Sequence, residues 1–201
     1  MLKRKLKALH LILEISKVDS RTLKNVQAIL LTLKTAADFL SGKQLMYRIK
    51  DQTRSSSAVY DILNKFEKNK IVETKKVKCQ GPLKEKKLYT LTILGTLLVG
   101  ALTENKSFIE EAYDKILPEY NDNPVNKFQK NVLDQTQKIF KDDFKDIDNI
   151  FLKGILRGFS ESLDIKEIIY YANVELSPIA LSVKKKTNKL KYLKKMQTVY
   201  T

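Results

Sequence analysis

Apolar residues recur at helical spacing through most of this chain, interrupted once by a short β-branched stretch. Leu2, Leu6, Leu9 and Leu13 stand at 4-3-4 intervals with Ile12 and Ile15 beside them, one stripe of an amphipathic helix over 2–18. "VDSRT" breaks that stripe, and Ser20 or Thr22 is placed to cap the next helix. Its apolar positions are Leu23, Val26, Ile29, Leu30, Leu33, Ala37 and Leu40, and Ser41-Gly42 is expected to end it. A short helix from about residue 43 to 51 follows, with Leu45 and Ile49 inward, and "QTRSSS" is a turn. The segment "SSSAVYDILNKFEKNK" then places Val59, Ile62, Leu63 and Phe66 at i, i+3, i+4, i+7. "IVETKKVK" (71–78) reads as a strand, Gly81-Pro82 as a turn, and "KLYTLT" (87–92) as the returning strand.

Beyond Ile93 the pattern is helical. Helices are expected over about 93–103 and 106–117, the second ended by Pro118. Phe128, Val132, Ile139, Phe140, Phe144, Ile147, Phe151, Ile155 and Phe159 continue the helical pattern with a break near 141–146. Gly154 and Gly158, four apart in an apolar helix, predict a tight helix crossing. "DIKEIIYYANV" is one more short helix, and Ser177-Pro178 opens a basic one with Ile179, Val183, Leu190 and Leu193 on one side. The fold class is therefore mainly α with a small β-hairpin wing. The domains expected are an N-terminal helix (1–18), a winged helix-turn-helix domain (20–104) and a helical C-terminal region (105–201) with a basic tail (184–201).

Charge sharpens this division. Residues 1–100 hold 21 Lys+Arg against 8 Asp+Glu, residues 101–183 hold 10 against 15, and the last 18 residues hold 7 lysines and no acid. Solubility alone does not require such asymmetry; it points to a polyanion-binding module joined to something else. One cysteine (Cys79) and one histidine (His10) leave no set for a disulfide framework or a zinc site, so no metal or cofactor is expected. The longest apolar run, "LTILGTLLVGAL", has 12 residues, against roughly 20 for a membrane span. No signal-peptide pattern opens the chain, and a cytoplasmic protein without a membrane partner is expected. Phosphate loops and nucleophile elbows are missing, and the acids Asp142, Asp143, Asp146 and Asp148 read as a solvated face, so no enzyme and no catalytic residue is expected.

Helix, turn, helix and lysine-rich hairpin form a winged helix-turn-helix, whose second helix enters the DNA major groove with its N-terminal residues nearest the bases. The serines at that end are placed to cap the helix and to touch DNA. The stretch resembles the groove helix of PadR-like winged-helix regulators and, more distantly, MarR-like ones. The matching residues are Ser55, Val59, Tyr60, Leu63, Phe66, Glu67, Ile71 and Val72, with Gly42, Leu45 and Ile49 before them and Tyr89, Leu91, Thr92 and Gly95 after. The resemblance covers about residues 25–100. It departs where the family has an aromatic residue directly after the glycine and this chain has Lys43, and in the longer stretch before Gly42.

What the resemblance implies is double-stranded DNA binding as a homodimer and prokaryotic transcriptional control; it names no small-molecule effector. The DNA-binding residues expected are Lys43, Gln44, Arg54, Ser55, Ser56, Ser57, Tyr60, Asn64, Lys65, Lys68, Lys75, Lys76, Lys78, Lys84, Lys86 and Lys87. Dimerisation is expected at Leu2, Leu6, Leu9, Leu13, Ile179, Val183, Leu190 and Leu193, because the N-terminal stripe looks dispensable to a domain core. Tyr60 is left between packing and backbone contact. A second reading stays open: a DNA-organising, replication or partition protein of a plasmid or virus using the same winged helix. RNA binding is weaker, since no aromatic stacking platform is evident.

Overall fold

A computed structural model describes residues 2–13, 18–50, 55–78, 85–120, 147–172 and 175. Helices α1 (Leu2–Leu13) and α2 (Ser20–Thr35) lead into the two-residue strand β1 (Leu40–Ser41). Then come α3 (Gly42–Arg48), α4 (Ser56–Lys68), β2 (Val72–Lys78) and β3 (Glu85–Leu91). The described remainder is helical: α5 (Ile93–Thr103), α6 (Lys106–Tyr120), α7 (Ile147–Phe159) and α8 over 165–172. The three strands form an antiparallel sheet in the order β1-β3-β2. The chain is thus mainly helical with a small wing, a winged helix-turn-helix continued by further helices.

The core is built around α5. Its sequence is apolar on every side, and Leu97, Leu98, Val99, Ala101 and Leu102 are all fully buried, as expected of a helix packed all round. α2, α6 and α7 pack on α5, and α1 packs on both α4 and α7. The Gly154/Gly158 step in α7 faces the backbone of α8: a Cβ at either glycine would come within 2.5 Å of the Cα of Ala172 or Ile168. That is the tight crossing the spacing predicts.

Four local expectations are corrected. Asp19, not Ser20 or Thr22, caps α2; its carboxylate accepts from the Thr22 N–H at 2.6 Å and is held below its usual pKa by that bond. α2 ends at Thr35 rather than at Gly42. Ser41 instead caps α3 in a reciprocal box: its hydroxyl accepts from the Gln44 N–H at 3.2 Å while Gln44 Oε1 accepts from the Ser41 N–H at 3.0 Å. Gly42 is therefore the first residue of α3, and its missing side chain makes room for the Tyr60 ring. Finally, α6 continues past Pro118 to Tyr120; a proline this close to a helix end removes only one of the last intrahelical bonds.

The N-terminal stripe also lies differently from expectation. Leu9 and Leu13 are buried in the core of this same chain, with Ala8 and Ile12, while Leu6 is partly buried and Leu2 exposed. The Asn69 amide at the end of α4 donates to the Ile12 carbonyl at 2.8 Å. Lys5, itself nearly buried, donates to the Leu102 carbonyl at 3.1 Å and the Glu104 carboxylate at 2.5 Å. α1 is thus part of the core, its inner side packed on α4 and α7. Ile179, Val183, Leu190 and Leu193 lie outside the described residues.

Candidate nucleic-acid interface

α4 is fixed by its inner face and its two ends. Val59, Leu63 and Phe66 are essentially inaccessible, and Ile62 nearly so. Ser55 caps the N-terminus, its hydroxyl accepting from the Ala58 N–H at 3.4 Å and sharing a hydrogen bond with the Ser57 hydroxyl at 2.8 Å. One serine therefore caps, and Ser56 and Ser57 stand exposed in the first turn. There the unpaired N–H groups and the helix dipole favour an anion. Opposite the buried face, Ser57, Asp61, Asn64 and Lys68 follow at i, i+4, i+7, i+11 and form one exposed outward stripe.

The flanks of α4 connect it to its neighbours. Tyr60, 40% exposed, lies with its ring against Gly42. It therefore packs against α3 while keeping part of its ring on the surface. Glu67 pairs with Lys87 on β3 and accepts from the Thr74 hydroxyl on β2 at 2.9 Å. The Lys87 ammonium, with a smaller contribution from Thr74, holds the Glu67 carboxyl below the usual carboxylate range despite partial burial. This contact ties the wing to α4.

Strand alternation divides the wing lysines between two faces. Thr74 pairs with Tyr89, Lys76 with Lys87 and Lys78 with Glu85, so these share the face that carries the Glu67 contact. Lys75 pairs with Leu88 and Lys86 with Val77 on the other face. Lys75 Nζ lies 4.0 Å from the centre of the Phe39 ring and 3.9 Å from Asp38, and Lys76 lies 3.6 Å from Glu85. Lys78 and Lys86 are exposed near the tip, whereas Lys87 is committed to Glu67. Arg54 and Lys84 lie outside the described residues.

On α3, Lys43 is exposed, and Gln44 has its carbonyl oxygen engaged by Ser41. Lys65 is half-buried on one side of α4 and Lys68 is exposed. The structure adds residues that sequence reasoning passed over. Tyr47 is 74% exposed, with Lys50 Nζ 5.2 Å from its ring centre, and Arg48 is exposed beside it. Asp61 was also missed. Helical phase places it between Ser57 and Asn64, a signal that was available in the sequence. Over the described residues of 42–90 there are eleven Lys or Arg and four Asp or Glu, so this segment is strongly basic.

No family model matches the chain. No curated protein matches it either. Among solved structures it is similar to Bacillus subtilis PadR in complex with operator DNA, at 20% identity and a TM-score of 0.35, over 79% of this chain and 98% of that one. Similarity at that level carries no weight for function. Among the described residues no helix is long and apolar enough to cross a membrane, and no group of three His, Cys, Asp or Glu could hold a metal ion.

Proposed function

We propose that this protein binds double-stranded DNA in a sequence-specific way, as a homodimeric transcriptional regulator. The observation that carries the reading is the pairing of the capped, polar outward stripe of α4 with a lysine-bearing wing locked beside it through Glu67 and Lys87. A helix of this kind fits the major groove, and an adjoining basic hairpin reaches the flanking backbone. Phosphate contacts would set register and affinity, and the α4 stripe would read base edges. Two groove helices one helical turn apart, about 34–36 Å, would extend the few base pairs read by one copy. Because Leu9 and Leu13 are used within the chain, the dimer contact is assigned to the C-terminal segment carrying Ile179, Val183, Leu190 and Leu193.

The test is duplex binding by fluorescence anisotropy across a salt series. With roughly 6–10 phosphate contacts, affinity should fall about 10³–10⁵-fold between 50 and 200 mM salt. Lys78→Ala and Lys86→Ala should weaken all sequences alike and flatten that slope by about one contact each. A complex indifferent to salt would overturn the reading. Spreading along DNA without a defined stoichiometry would favour the DNA-organising alternative.

A further inference from the structure

A carboxylate on a surface meant for DNA needs a reason. Asp61 stands in the second turn of α4, exposed, at the centre of the outward stripe. Among the described residues it has no ion-pair or hydrogen-bond partner, although Lys65 stands one turn further along the same helix. Duplex DNA carries one negative charge per roughly 1.7 Å of axis, so an unpaired acid facing phosphates costs affinity at every sequence. The cost is avoided where the acid faces the groove floor and meets base-edge donors. In the major groove those donors are the N4 amino group of cytosine and the N6 amino group of adenine. Adenine sets its N7 acceptor beside N6, which suits an amide such as Asn64 and repels a second carboxylate oxygen. Cytosine offers its amino group with only a C–H alongside.

We infer that Asp61 is a specificity-determining residue that accepts a hydrogen bond from the N4 amino group of a cytosine, fixing a C·G pair in each half-site and lowering affinity for other sequences by charge repulsion. The inference rests on the DNA-binding reading above and goes beyond it by assigning one base to one side chain. Its neighbours on the stripe, Ser57 one turn before and Asn64 one turn after, would contact the adjoining base pairs.

The test is selection of bound sites from random duplexes with the full-length wild type, Asp61→Ala and Asp61→Asn, followed by affinities for all four base pairs at the enriched position. Wild type should enrich cytosine at one fixed position, preferring it by roughly 5- to 150-fold, the usual cost of one mismatched base pair. Asp61→Ala should lose that preference alone and bind unrelated duplexes more tightly, and Asp61→Asn should shift the preference toward adenine. Because Asp61 is exposed, both variants should unfold at the wild-type temperature. The inference is overturned if Asp61→Ala keeps the wild-type site, or if it weakens all sequences equally. Wild type that binds duplexes with steep salt dependence but enriches no base overturns this assignment and leaves DNA binding standing. Wild type that binds no duplex even at low salt overturns both.

Discussion

Gly42 and Gly95 both occupy places where a side chain would collide, yet they should respond differently to alanine. At Gly42 the new Cβ would meet the far end of the Tyr60 ring at 2.4 Å, a side chain already partly in solvent and able to swing outward. At Gly95 it would meet the backbone carbonyl oxygen of Ile71 at 2.1 Å. That oxygen accepts from the Thr92 N–H at 3.1 Å, and the Thr92 hydroxyl lies within bonding distance of it and of the Lys70 carbonyl, 2.8 Å away. Moving it breaks the junction between β2 and α5. Gly95→Ala should therefore cost about 3 kcal/mol or more, the upper end for overpacking. Gly42→Ala should stay within about 1 kcal/mol, since the lower entropy of the unfolded chain offsets the displaced ring. Urea unfolding of the two variants side by side checks the contrast; equal losses would mean that Tyr60 is as immovable as the backbone.

The wing and α4 are joined by the Glu67–Lys87 ion pair, and that contact has a pH signature. The Glu67 carboxyl is held below its ordinary value of 4.5 by Lys87, so the folded state binds its proton less readily than the unfolded chain does. Its contribution is complete above that value and disappears as pH falls below it, through the depressed folded-state pKa. Both side chains are about one-third exposed, so the contribution is screened and worth roughly 0.2–1 kcal/mol. Glu67→Gln should lower stability by about that amount at pH 7 and converge on wild type as pH falls below 4.5 through the depressed folded-state value. Parallel pH dependences would show that the pair contributes nothing. The acid was legible only through the family resemblance, in which Glu67 takes the place after Phe66. Its partner was not, because strand register decides which lysines share a face and register is invisible to composition. For the same reason Lys75, Lys76, Lys78, Lys84, Lys86 and Lys87 are all expected at DNA from the sequence, whereas the described ones fall on two faces of the hairpin. Gly42 failed differently: a glycine past a helix end and a glycine under an aromatic ring look alike until Tyr60 is placed in space.

At the scale of the whole molecule, α1 is a structural strut. Amphipathic periodicity identified the helix and, in Leu9 and Leu13, half of the stripe that is buried, but periodicity cannot say whether the covering surface belongs to the same chain or to another. The answer came from α4 and α7, against which α1 packs with Ala8, Leu9, Ile12 and Leu13 buried. Lys5 on Glu104, Asn69 on the Ile12 carbonyl and Arg4 on the Lys153 carbonyl at 3.3 Å fix the helix in position. A core leucine truncated to alanine costs about 2–5 kcal/mol, depending on how far the site relaxes. Leu9→Ala should lose that much in denaturant unfolding, with an unchanged dependence on denaturant concentration. Leu2→Ala, at an exposed position, should stay within about 0.5 kcal/mol. Sedimentation at micromolar concentration then separates strut from interface. If α1 serves only its own subunit, Leu2→Ala keeps the wild-type mass, and Leu9→Ala keeps it too at temperatures where it remains folded. A fall to half the mass in a folded Leu2→Ala variant would instead place the outer side of α1 between two copies of the chain.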